Sequence, residues 1–94
     1  MKNAMIIDFK DNVAVAIEKI EKGTAAIFEK NNKILEIMVT DEIPMYHKVA
    51  IENIKKGSHI VKYGEYIGVA KSDINKGMHV HTHNVLSGRE KETD

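Results

Sequence analysis

A nine-residue segment occurs twice in this chain, thirty-four residues apart, and a third time in weaker form. Val15-Ala16-Ile17-Glu18-Lys19-Ile20-Glu21-Lys22-Gly23 returns as Val49-Ala50-Ile51-Glu52-Asn53-Ile54-Lys55-Lys56-Gly57, with seven of nine positions identical. The third copy, Val69-Ala70-Lys71-Ser72-Asp73-Ile74-Asn75-Lys76-Gly77, keeps the Val-Ala start and the closing Ile-x-Lys-Gly. Each copy has one physical reading. A short apolar stretch enters the core, and the chain then turns at a glycine, which takes positive φ at little steric cost. A new extended segment follows at 24–28, 58–61 and 78–83. About nine residues between turn signals is short for a stable helix, and Val and Ile favour strands. Each copy is therefore expected to be a strand running into a single helical turn or a tight turn.

The rest of the chain agrees with an all-β fold. Residues 5–9 read as a first strand, with Asp11-Asn12 as turn chemistry, and 33–39 as a β-branched strand after the turn signal Asn31-Asn32. Pro44 forces the preceding residue out of the helical region. Many short strands on a duplicated plan predict a compact barrel-like domain over residues 1–86. The charged segment 87–94 lacks apolar anchors and is expected to fray.

Composition narrows the function classes. Fourteen basic and fourteen acidic residues cancel, so no strong field favours nucleic acid or an anionic membrane. Without tryptophan, a stacking platform for single strands is not expected. No cysteine is present, which removes disulfides, zinc–thiolate sites and thiol catalysis, and fits a reducing cytoplasm. Asp8 interrupts the apolar start where a signal peptide would continue. No apolar run approaches the roughly 18 residues of a spanning helix, so a cytoplasmic location is expected.

Five histidines stand in the chain, three of them at alternate positions: His79, His81 and His83. On an extended strand these share a face, with Cβ atoms roughly 6.5–7 Å apart. Neighbouring imidazoles at that spacing can converge on one divalent metal or one anion, while Val80 faces the core. A solvated strand face is the plainer alternative. Asn84 can hydrogen-bond a substrate hydroxyl or carboxylate, or close a turn. A proline-restricted loop delivers His47, a candidate acid or base, and Lys48, a candidate carboxylate partner. Lys62 and Tyr63 either face substrate or flank a hairpin at Gly64. No phosphate loop, serine elbow or other complete catalytic apparatus is present, which points to a contributing subunit or a binding module.

Taken in order, Ile43-Pro44-x-x-His47-Lys48-Val49-Ala50, Ile54-x-x-Gly57, Lys62-Tyr63-Gly64-x-x-Ile67-Gly68-x-Ala70 and Ile74-x-x-Gly77-x-x-Val80-His81-Thr82-His83-Asn84 form a specific series. It closely resembles the SAF domain of the altronate and galactarate dehydratase family and the alpha subunit of sulfolactate sulfo-lyase, over roughly residues 5 to 85. The resemblance implies a β-clip fold, as in antifreeze-like and sialate-synthase C-terminal domains. It implies a small lyase subunit whose active site is completed by a large catalytic subunit, with a hydroxy-acid substrate and possible homo-oligomers. It also implies a divalent metal, commonly ferrous iron with manganese as the alternative, held mainly by the partner.

By carry-over, His47, Lys48, His81 and His83 are the catalytic candidates. Asn84, Lys62 and Tyr63 are the substrate-binding candidates, and His81 and His83 the metal candidates. His79 falls where the family fixes no residue, which sets it aside. The family usually has glycine where this chain has Tyr46, so the loop before His47 is the expected point of departure. A sulfolactate sulfo-lyase alpha subunit, and a non-catalytic carbohydrate-binding or assembly module on the same fold, are the competing expectations.

Overall fold

The computed structural model describes residues 1–87, so most of the expected charged tail lies outside the described residues. All regular structure in the described residues is β: β1 (Ala4–Met5), β2 (Val13–Ala16), β3 (Ala25–Lys30), β4 (Lys33–Met38), β5 (Lys48–Ala50), β6 (His59–Lys62), β7 (Glu65–Ala70), β8 (His79–Val80) and β9 (Val85–Leu86). They form an antiparallel sheet in the order β1-β2-β5-β8, a β3-β4 hairpin and a sheet β6-β7-β9. No helix among the described residues is long and apolar enough to cross a membrane.

The repeat explains this layout, and of the two expected forms, a single helical turn or a tight turn, the structure has the tight turn. In each copy the isoleucine is buried (Ile20, Ile54 and Ile74), and the residue after glycine donates back to the carbonyl three residues earlier: Thr24 to Glu21, Ser58 to Lys55 and Met78 to Asn75. Gly23, Gly57 and Gly77 have φ of 85°, 87° and 95°, the signature of glycine at the third position of a type II turn.

The structure reveals a fourth unit that identity does not show. Ile43-Pro44-Met45-Tyr46 repeats the turn, with His47 donating to Pro44 and Tyr46 at φ 71° in glycine's place. The family's glycine position is thus filled by a tyrosine held in the left-handed region.

These four units pair reciprocally. Gly23 donates to Val39 while Tyr46 donates to Ala16, and Gly57 donates to Ala70 while Gly77 donates to Ala50. The isolated bridges Ile20↔Ile43 and Ile54↔Ile74 lie within the same pairs. Lys56 N–H donates to the Asp73 carboxylate and Lys76 N–H to the Asn53 amide oxygen, the same exchange made by side chains. Each pair closes over its own apolar cluster, one around Ile20, Phe28, Ile43 and Val49, the other around Ile54, Ile60, Ile74 and Val80.

Asp11-Asn12 reaches further than a local turn. Asn12 exchanges amide hydrogen bonds with His59 and Val61, and the Asp11 carboxylate accepts from the amides of Ile7, Asp8 and Gly64. Burial alone would raise the Asp11 carboxyl, but the surrounding backbone amides outweigh it and hold its pKa below the usual value.

Candidate functional site

Strand register brings the distant histidines together. β5 pairs antiparallel with β8 through Lys48↔Val80 and Val49↔His79. One step outward from Lys48↔Val80 sets His47 opposite His81, and directly opposed residues share a face. The His47 and His81 rings stack with centroids 4.1 Å apart at 13°. One ring nitrogen of the His47 Nδ1–His79 Nε2 pair donates to the other at 2.9 Å. His79 and His81 complete the trio with centroids 5.5 Å apart.

The trio offers a metal a suitable set of donors. His47, His79 and His81 each present a ring nitrogen, and these atoms lie within 4.8 Å of one another. Imidazole binds divalent first-row metals at about 2.0–2.1 Å, so the rings would turn out of their stack and give up the His47–His79 hydrogen bond to share one ion. His81 Nδ1 is buried with no hydrogen-bond partner, an uncommon condition for a native polar atom. Burial, and then the nearby His47, His83 and His81, push His79 down to about 4, against a weaker opposing pull from Asp41. His81 is likewise lowered, by burial and then by His47, Lys48 and His83. Both rings are therefore neutral near pH 7, the form that ligates metal or accepts a proton.

The structure separates the expected site residues. His83 is exposed and tilts 34° against His79 at 5.2 Å, outside the three-nitrogen group. The strand expected through residue 83 ends at Val80, and residues 81–84 turn. Asn84 is the reason: it is 4% exposed, its Oδ1 accepts from His81 N–H and its Nδ2 donates to the His79 carbonyl, both at 2.9 Å. Its amide shapes the histidine turn. Lys48 lies beside the trio, its pKa lowered by burial and then by Lys62. Lys62 sits over the Tyr63 ring at 5.4 Å, and Tyr63 (φ 55°) forms the β6–β7 turn with Gly64.

His79 is the residue that the resemblance set aside and the fold restores; its alternate spacing was the available signal. Asp41, whose carboxylate accepts from His79 N–H at 3.0 Å, carried no sequence signal.

Comparison with known proteins identifies the family. A model of the altronate/galactarate dehydratase SAF domain matches residues 2–88. The chain belongs to that family. It is 41% identical over 85 residues to altronate dehydratase of Bacillus subtilis and 38% identical over 74 residues to that of Escherichia coli, covering 89% and 79% of this chain. It spans only 16% and 14% of those relatives' lengths. It is also 34% identical over 89 residues to the (2R)-sulfolactate sulfo-lyase subunit alpha of Chromohalobacter salexigens, covering 90% of this chain and 94% of that subunit. The described residues of this SAF-family chain are all-β, consistent with the β-clip fold, and its relatives are lyases and dehydratases.

Proposed function

We propose that this SAF-domain chain is the small subunit of an altronate-type hydro-lyase, supplying one wall of an active site that a large catalytic subunit completes. The observation that carries the proposal is the convergence of His47, His79 and His81 in a chain with no other catalytic apparatus. The reaction removes the proton α to the substrate carboxylate and expels the β-hydroxyl as water. His47, His79 and His81 would hold the divalent metal, ferrous iron or manganese, with the partner completing its coordination. Bound there, the metal would supply Lewis-acid stabilisation of the leaving oxygen and of enolate charge. The neutral His81 imidazole, next to Lys48, suits proton acceptance or ligation. Lys48 offers a desolvated positive charge to a carboxylate, Asn84 fixes the turn that aims His81, His83 would be a further catalytic group, and Lys62 and Tyr63 would contact substrate. The setting is cytoplasmic sugar-acid metabolism.

A second reading follows from the likeness to the sulfo-lyase alpha subunit, which is matched over 94% of its extent; sulfite would then leave in place of water.

Reconstitution with the large subunit tests both. The chain alone should be inactive and the complex should dehydrate altronate, with His81→Ala lowering kcat by about 10²–10⁴-fold. Full activity of the isolated chain, or unchanged turnover with His81→Ala, would refute the proposal. Sulfite release from sulfolactate would select the second reading.

A further inference from the structure

The geometry points to an oxyanion-binding subsite in the groove adjoining His81, with Lys48 and Lys71 as its two cations and the acid group of a small hydroxy acid as its ligand. This cavity of about 260 Å³ is lined by Lys48, Lys71, His81 and Thr82, with Ile67 and Val85 among its apolar walls. His47 and His79 do not line it, so His81 is the element common to the groove and the trio.

The two lysines reach the groove from different parts of the fold, Lys48 from β5 and Lys71 just past β7. Among the described residues no carboxylate lines the groove, and neither lysine forms an ion pair. An anion bound in the groove would be attracted by both ammonium groups. Thr82 adds a hydroxyl. The backbone of Lys71 donates to the Asn84 carbonyl at 2.9 Å, which ties Lys71 to the turn that holds His81. The volume lies below the usual range for drug-sized ligands and suits an acid of a few carbons.

The identification of the ligand as substrate rests on the lyase reading, whereas binding of the anion does not. Carboxylate and sulfonate share the chemistry required, and two probes separate them. Amide spectra of the full chain are to be titrated with glycerate and, separately, with 2-hydroxyethanesulfonate. Shifts are expected at Lys48, Lys71 and Thr82. Lys71→Met, at an exposed position where the fold is checked by the same spectra, should raise Kd about tenfold for the preferred probe. Lys33→Met on the β3–β4 hairpin should leave it unchanged. In the reconstituted complex, Lys71→Met should raise KM with little change in kcat. Shifts elsewhere, equal affinity of wild type and Lys71→Met, or an unchanged KM would overturn the subsite. Binding that depends on Lys71 in a chain that supports no turnover would uphold the subsite and sink the lyase reading.

Discussion

Two concavities of this small domain differ in what they leave unpaired. The larger, about 360 Å³, lies by the β3–β4 hairpin and is lined by residues including Lys2, Ile6, Ile17, Glu29 and Asn31. Its cation is neutralised, because Lys2 Nζ and a Glu29 carboxylate oxygen lie 3.0 Å apart. Nearby Asn3 has both ends of its amide engaged, donating to the Ala25 carbonyl and accepting from Ile27 N–H. The smaller concavity, beside His81, has two lysines without ion-pair partners among the described residues and adjoins an imidazole nitrogen without a hydrogen bond. The proposed site lies where polar groups remain unsatisfied, whereas size alone would select the other end.

Asn3 and Asn84 break this comparison most sharply, since each fastens its own end through two backbone hydrogen bonds. Replacing either with alanine leaves part-buried backbone groups unpaired and should cost about 1–3 kcal/mol, a fall in Tm of roughly 4–8 °C per kcal/mol in a domain of this size. Only Asn84→Ala should also depress turnover of the reconstituted complex beyond its effect on stability. Equal turnover in the two variants would show that the Asn84 turn has no positioning role.

Acid should act on the histidine end first. His79 titrates near 6.5 when unfolded and near 4 when folded, so the unfolded state binds more protons between those values. Stability of the metal-free chain is then fully present above about pH 6.5 and falls as pH drops through about 4. Thermal melts of His79→Gln should be flatter over that interval, with Asp11 still contributing an acid loss below it. Parallel pH profiles for variant and wild type would contradict the buried, mutually repelling trio.

The smallest expected effect concerns the turns. Tyr46 occupies a left-handed conformation that costs a bulky residue about 1–2 kcal/mol, partly offset by glycine's greater freedom in the unfolded chain. Tyr46→Gly should therefore raise stability by up to about 1 kcal/mol. Gly77→Ala should do the reverse and exceed Gly57→Ala. A Cβ at residue 77 would overlap the Met38 carbonyl, whereas one at residue 57 meets nothing within 4 Å. Denaturant midpoints check all three.

The sequence made the turns legible because their glycines and isoleucines repeat. It concealed the fourth unit, where tyrosine replaces glycine and only buried Ile43 and the Pro44–His47 hydrogen bond preserve the plan. The β-fold, the Val80 core position and the choice of His47 and Lys48 as candidates beside His81 came from pattern and resemblance. The histidine trio could not, because the meeting of His47 with His81 depends on the Lys48↔Val80 register. Nor could the end of β8, which is set by a side chain bonding backward to its own turn. Lys71 stands in a Lys-rich turn of the third copy, and nothing in its neighbours distinguishes it from the exposed lysines of the other copies.

The claim that the histidine end is the working end is tested most directly by titrating cobalt(II) into the full chain at neutral pH and recording its visible absorption. One equivalent should bind, His47→Ala, His79→Ala and His81→Ala should each abolish or strongly weaken the signal, and His83→Ala should leave it in place. No binding, or binding that survives the loss of all three trio residues, would contradict the account.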